Sequence, residues 1–152
     1  KTLMYVHQLS DIFRYILQSD RKGLVSLREE LEFMLSFQYV MEVRFANKLT
    51  FSVRVEEERK DLLMLPVLSL LPLVDNVVVH NRIDSEHKME ISIVLNEQDE
   101  LVVSNPVYPK LSAPDTNGTG LANLENRFTL LMNKQIRIES TEETFRVCLP
   151  LK

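Results

Sequence analysis

The sequence has no tryptophan, a single cysteine and only three glycines among 152 residues. A lone Cys148 excludes an internal disulfide and suits a reducing compartment. Long apolar runs are missing as well. The longest, Leu62 to Val74, is interrupted by Pro66, Ser69 and Pro72 and falls short of the roughly 20 residues that cross a bilayer. Nor does the chain open on a secretory leader, because Lys1 to Leu17 carries charges within helical spacing. It opens on Lys rather than Met, directly in helix-like sequence, which is the expectation for a domain cut from a longer protein. Charge of one sign is not in excess: the net value is −4, with acids and bases mixed along the chain. The basic patch that a nucleic-acid surface requires is therefore not expected.

What is present suffices for one domain with a short appendage. Hydrophobic residues make up 45% of the chain, enough for a core that needs no covalent staples. Leu3, Val6, Leu9, Ile12, Phe13 and Ile16 recur every three or four residues and predict a first helix, ended by Ser19 to Gly23. Ser26 with Glu29 forms a capping box for a second. That helix carries Leu27, Leu31, Met34, Leu35, Met41 and Phe45 on one face and Phe33, Phe37 and Val40 on another, so it should be covered on two sides.

Phe51, Val53 and Val55 alternate as in a half-buried strand, closed by the solvated Glu56-Glu57-Glu58. Pro66 suits a helix start, which predicts a third helix from there to about His80, with Pro72 kinking it or shortening its first turns. Met89 to Leu95 and Leu101 to Val103 form a hairpin. Residues 105–119 hold three prolines and no periodicity, and predict a loop. A helix over about Leu121 to Met132 follows, then a closing hairpin of Ile136 and Ile138 with Phe145, Val147 and Leu149 around Thr141 to Glu143. Strands joined as hairpins favour an α+β two-layer sandwich over a doubly wound parallel sheet.

Two constellations bear on chemistry. Gly118 and Gly120 stand in Asn117-Gly118-Thr119-Gly120-Leu121, where the loop enters a helix. Glycines let backbone amides approach a phosphate, and amides of a first helical turn are unpaired and partly positive. A flexible glycine turn would read the same way. The second constellation is Asp75 and Asn76 inside a strongly apolar helix, with His80 one turn beyond Asn76 on the same face. Bare burial of such groups costs roughly 1–3 kcal/mol each, so they need partners. A Mg²⁺-bearing ligand would supply them, Asn being a neutral oxygen ligand and the neighbouring carboxylate able to orient a water or join the metal. A polar helix end bonded to backbone or solvent is the alternative.

Taken in order, the motifs resemble those of the GHKL ATPases, and in particular of the LytS-type sensor histidine kinases in their Bacteroidetes form. Leu9 to Tyr15 resembles the "LSdllRY" segment and Ser26 to Glu32 the "tLeeEle" segment; Arg44-Phe45 matches the "Rf" that ends the second helix. Leu65-Pro66 through Asp75-Asn76 to His80-Asn81 is similar to the N box. Gly118 to Leu124 with Arg127-Phe128 is similar to the G2 box, and Phe145 to Leu151 to the "f.v.iPL" ending. The likeness covers over nine-tenths of the chain.

This resemblance implies a Bergerat sandwich with a mixed, mostly antiparallel sheet, binding ATP and Mg²⁺ under a lid from about Pro106 to Gly118. It divides the chain into residues 1–22, a helix of the dimerisation hairpin, and 23–152, the ATP-binding domain. The implied nucleotide set is Asn76, His80, Asn105, Gly118, Gly120, Leu121 and Asn123. Asn76 would hold Mg²⁺ and Asp75 would be the catalytic carboxylate. Asn105 stands where many relatives carry an Asp that reads the adenine amino group. The phosphoacceptor histidine is expected upstream of residue 1, with His7 a helix-surface or dimer-contact residue.

Implied partners are a second copy, through the bare apolar face of the first helix, and a response regulator of the LytTR type. The implied location is the cytoplasmic side of a protein anchored in the inner membrane. Asp75 stands where Glu is usual, Val79 where Lys is usual and Leu71 where Gln is frequent. These departures motivate an alternative, a degenerate module that binds nucleotide weakly or signals by dimerising.

Overall fold

The computed structural model describes residues 2–18, 23–111 and 119–152. Helix α1 (Thr2–Gln18) lies along α2 (Leu27–Arg44). Ser26 caps α2 as its sequence predicts, its Oγ accepting the Glu29 amide at 3.1 Å. Two apolar faces on α2 are each covered. Leu27, Leu31, Met34 and Met41 enter the main core, while Phe33 and Val40 form a smaller cluster with Ile12 of α1. Leu35, expected on the first face, is instead 63% exposed, because the helix's inner stripe is narrower than its apolar spacing suggests.

The apolar spacing of α1 is likewise divided. Leu9, Ile12 and Ile16 pack toward α2, whereas Leu3, Val6, Phe13 and Leu17 remain between 52% and 83% exposed. The bare face is thus a second stripe beside the buried one, and α1 does fold back on its own domain.

The main sheet has five strands in the order β2-β4-β5-β7-β6. These are β2 (Leu49–Arg54), β4 (Met89–Leu95), β5 (Glu100–Pro106), β6 (Arg137–Ser140) and β7 (Thr144–Pro150). β2 and β4 run parallel, with Phe51 opposite Ile91; every other pairing in this sheet is antiparallel. The connection from β2 to β4 passes through a 3-10 turn at Glu57–Arg59, strand β3 (Met64–Pro66) and α3 (Leu71–His80). Alternate residues of β4, Met89, Ile91, Ile93 and Leu95, are buried in the core, and the intervening ones are not. One sheet face therefore carries the helices, giving the two layers expected.

Two local expectations are corrected. Pro66 closes β3, which pairs antiparallel with β1 (Leu24–Ser26), rather than opening a helix. Helix α3 begins five residues later with Pro72 in its first turn, where the missing amide hydrogen has no helical acceptor to lose. The loop expected over 105–119 is shorter at both ends. β5 continues through Pro106, paired with Thr144, and α4 (Thr119–Met132) starts before Leu121. Most of the predicted lid, Gly118 included, lies outside the described residues, as does most of the stretch expected to end α1.

Candidate nucleotide cleft

Helix α3 is apolar enough to be core, and its buried residues Leu73, Val74 and Val77 face the sheet. That orientation turns Asp75, Asn76, Val79 and His80 toward α4. Between the two helices lies a cavity of ≈ 310 Å³ lined by these four residues with Pro72, Gly120 and Leu121. A neighbouring cavity of ≈ 410 Å³ shares Asn76, His80 and Leu121, and reaches Asn105 on β5, Ser140 on β6, Phe145 on β7 and Lys110. The two form one cleft over the end of the sheet, with polar groups at intervals along an apolar wall.

Asn76 is half-buried, and its side chain makes no hydrogen bond to the described residues. Asp75 is exposed at the cleft edge, where partial burial raises its carboxyl above the usual range and the charge of Arg44 opposes the rise. Asn105 is 5% exposed, and its amide donates to the Pro106 carbonyl at 2.7 Å. Its side-chain carbonyl is the group left to accept from a ligand, which fits an exocyclic amine better than a ring nitrogen. Gly120 stands in the first turn of α4. Among the described residues, a methyl built there would meet only Pro72 Cβ, at 3.9 Å, an ordinary contact, so packing against them gives no reason for glycine at this position.

Of the residues singled out in the sequence, Asp75, Asn76, His80, Asn105, Gly120 and Leu121 are brought together. Asn123 is exposed on α4 and lines neither cavity. Val79 does line the cleft, an apolar group where a cation is usual; Lys110 is the one Lys or Arg among the described lining residues. Lys110 had no signal in the sequence, since it sits in a stretch without periodicity.

For Asn81 the sequence gives no role beyond its place in the N-box likeness. It is buried at the end of α3, its amide donating to the Val77 carbonyl at 3.0 Å and its carbonyl accepting from the Tyr108 amide at 2.7 Å. A backbone bridge to Pro109 completes the tie between α3 and the segment leaving β5.

A family model described as "Histidine kinase" matches residues 1–49. The sensor protein LytS of Oceanobacillus iheyensis is 26% identical over 90% of this chain and 26% of its own length. The sensor protein LytS of Staphylococcus epidermidis is 24% identical over 95% of this chain and 28% of its own length. The chain therefore spans only about a quarter of the length of the curated relatives it matches.

Among solved structures, the mycobacterial sensor histidine kinase MprB aligns with a TM-score of 0.56 at 16% identity, covering 85% of this chain and 97% of that one. The Acinetobacter baumannii histidine kinase AdeS aligns with a TM-score of 0.51 at 14% identity, covering 93% and 76%. At such identities these two speak for the fold alone, a GHKL-type sandwich. Motif order, fold and the likeness along nine-tenths of the sequence together make this chain similar to the LytS-type sensor histidine kinases.

Proposed function

We propose that this chain is the ATP-binding catalytic domain of a two-component sensor histidine kinase, with residues 23–152 forming that domain and residues 1–22 belonging to the dimerisation hairpin. The observation that carries the reading is the meeting of Asn76 and His80 on α3, Gly120 and Leu121 on α4 and Asn105 on β5 around one cleft. Asn105 would accept the adenine amino group through its side-chain carbonyl. The first-turn amides of α4 at Gly120 and Leu121 would face the phosphates, together with Gly118. His80 belongs to the same nucleotide set, whereas Asn123, which lines neither cavity, stands apart from it.

Mg²⁺ is held in such sites by one or two side chains together with phosphate oxygens. The free side-chain oxygen of Asn76, with the Asp75 carboxylate beside it, fits that requirement. When bound, the metal neutralises charge on the transferring phosphoryl group. Asp75 is then the carboxylate available to orient or accept a proton from the attacking imidazole of a histidine elsewhere in the protein. The phosphoryl group would pass on to a response regulator of the LytTR type. The protein would work as a dimer joined through α1, in a chain anchored in the inner membrane.

One observation favours the alternative of a non-catalytic module: Val79 lines the cleft where a cation would assist phosphoryl transfer. Calorimetric titration of this chain with Mg²⁺-ATP tests the nucleotide reading. Saturable binding, weakened at least tenfold by Asn76→Ala, is expected. Absence of binding at millimolar nucleotide would remove the site assignments. Autophosphorylation of a longer protein that includes the upstream histidine then separates kinase from module.

A further inference from the structure

Glu30 lies in the first turn of α2, where a carboxylate ordinarily reaches water, yet it is 0% exposed. Oε1 accepts the Leu68 amide at 3.1 Å and the Tyr15 hydroxyl at 3.2 Å; Oε2 accepts the Leu70 amide at 3.1 Å. Tyr15 belongs to α1, its ring stacked on Phe33 of α2 with centroids 4.5 Å apart. Leu68 and Leu70 belong to the turn that enters α3. Leu70 is the N-cap of that helix, and no side chain of its own caps it. The group that fixes the start of the cleft helix is thus supplied by α2 and shared with α1.

The turn itself is constrained. Leu68 adopts φ 60, a conformation uncommon for a side-chain-bearing residue and held only where surroundings over-determine it. Its side chain packs against both the main core and the α1 cluster. Arg127 of α4 donates to the carbonyl of Val67, the preceding residue, so the second wall of the cleft is fastened at the same point.

We propose that Glu30 is a positioning residue that couples α1 to the cleft. A displacement of α1 is passed by Tyr15 to Glu30, from Glu30 to the turn over residues 67–70, and from there to α3 with Asn76 and His80. Arg127 registers α4 to the same turn. That the moved site holds nucleotide rests on the reading above; the mechanical link does not.

Tyr15→Phe is the test, since it removes one oxygen and keeps the ring on Phe33. In this chain, amide exchange followed by NMR should rise about tenfold at Leu68 and Leu70 with β4 and β5 unchanged, and Mg²⁺-ATP affinity should shift at least threefold. Glu30→Gln should reproduce the effect, and adding Tyr15→Phe to it should change nothing more. Unchanged exchange at Leu68 and Leu70 would overturn the proposal. So would a rise spread evenly over the sheet, strictly additive effects, or looser amides with wild-type affinity. Should the unsubstituted chain bind no nucleotide, the nucleotide reading fails, while the exchange pattern and its non-additivity still decide the coupling.

Discussion

Burial pushes the Glu30 carboxyl above its ordinary value of 4.5, while the Leu70 and Leu68 amides, the Tyr15 hydroxyl and the Arg127 charge oppose the rise. Between 4.5 and the raised folded value, the native state keeps a proton that the unfolded chain has already released. Its contribution to stability is therefore complete below that window and is lost as pH rises through the folded value. Urea unfolding between about pH 4 and pH 7 should show a shallower fall of unfolding free energy in Glu30→Gln than in the unsubstituted chain. Equal slopes would mean that the carboxyl is not perturbed by the fold. Nothing in Arg28-Glu29-Glu30 announces this in the sequence, because acids in a first turn usually sit in water and complement the helix dipole. Asp75 and Asn76 were legible for the opposite reason: two polar residues interrupt an apolar helix. For Asn105 the position was legible but not its bonding, since only the structure shows its amide engaged by Pro106.

A glycine inside the first turn of a helix is conformationally costly relative to alanine, by up to roughly 0.5–1 kcal/mol. At Gly120 of α4 neither packing against the described residues nor a left-handed backbone demands it. Gly120→Ala should leave the melting temperature unchanged or raise it by about a degree or two. The same substitution should weaken Mg²⁺-ATP binding about tenfold, because a methyl would stand between the backbone and a phosphate. A lowered melting temperature would assign the glycine to the fold rather than to a ligand. Elements with a local rule were readable from sequence: the β4-β5 and β6-β7 hairpins by their period of two, and α2 by its cap and two apolar faces. The β1-β3 pair was not, since three-residue strands far apart in sequence carry too little periodicity to register. Pro66 shows the consequence, a helix-start signal that tertiary pairing turned into the end of a strand. The parallel β2-β4 pairing was equally hidden, because it depends on a crossover and not on any turn.

The exposed stripe of Leu3, Val6, Phe13 and Leu17 is a feature of the whole molecule, since no described residue of the chain covers it. Apolar residues aligned on one helix face associate when nothing covers them. Sedimentation should show self-association of the 17.7 kDa chain, abolished by Phe13→Glu together with Leu17→Glu without loss of the domain's folded structure. A monomer at all concentrations would remove α1 as the dimer contact. The sequence showed that α1 is amphipathic, but not that its apolar residues divide between two faces; that division exists only once α2 takes one of them.

Leu68 gives this arrangement a temporal character. For a residue with a side chain, the left-handed region is a small isolated well, with no gradual path to the neighbouring conformations. On the coupling proposed above, a turn built on it would work as a latch rather than a spring, engaged or released without intermediate settings. Graded pressure on α1 would then reach the cleft as a change in the fraction of time the latch is closed, so the domain would answer an analogue input with a digital one.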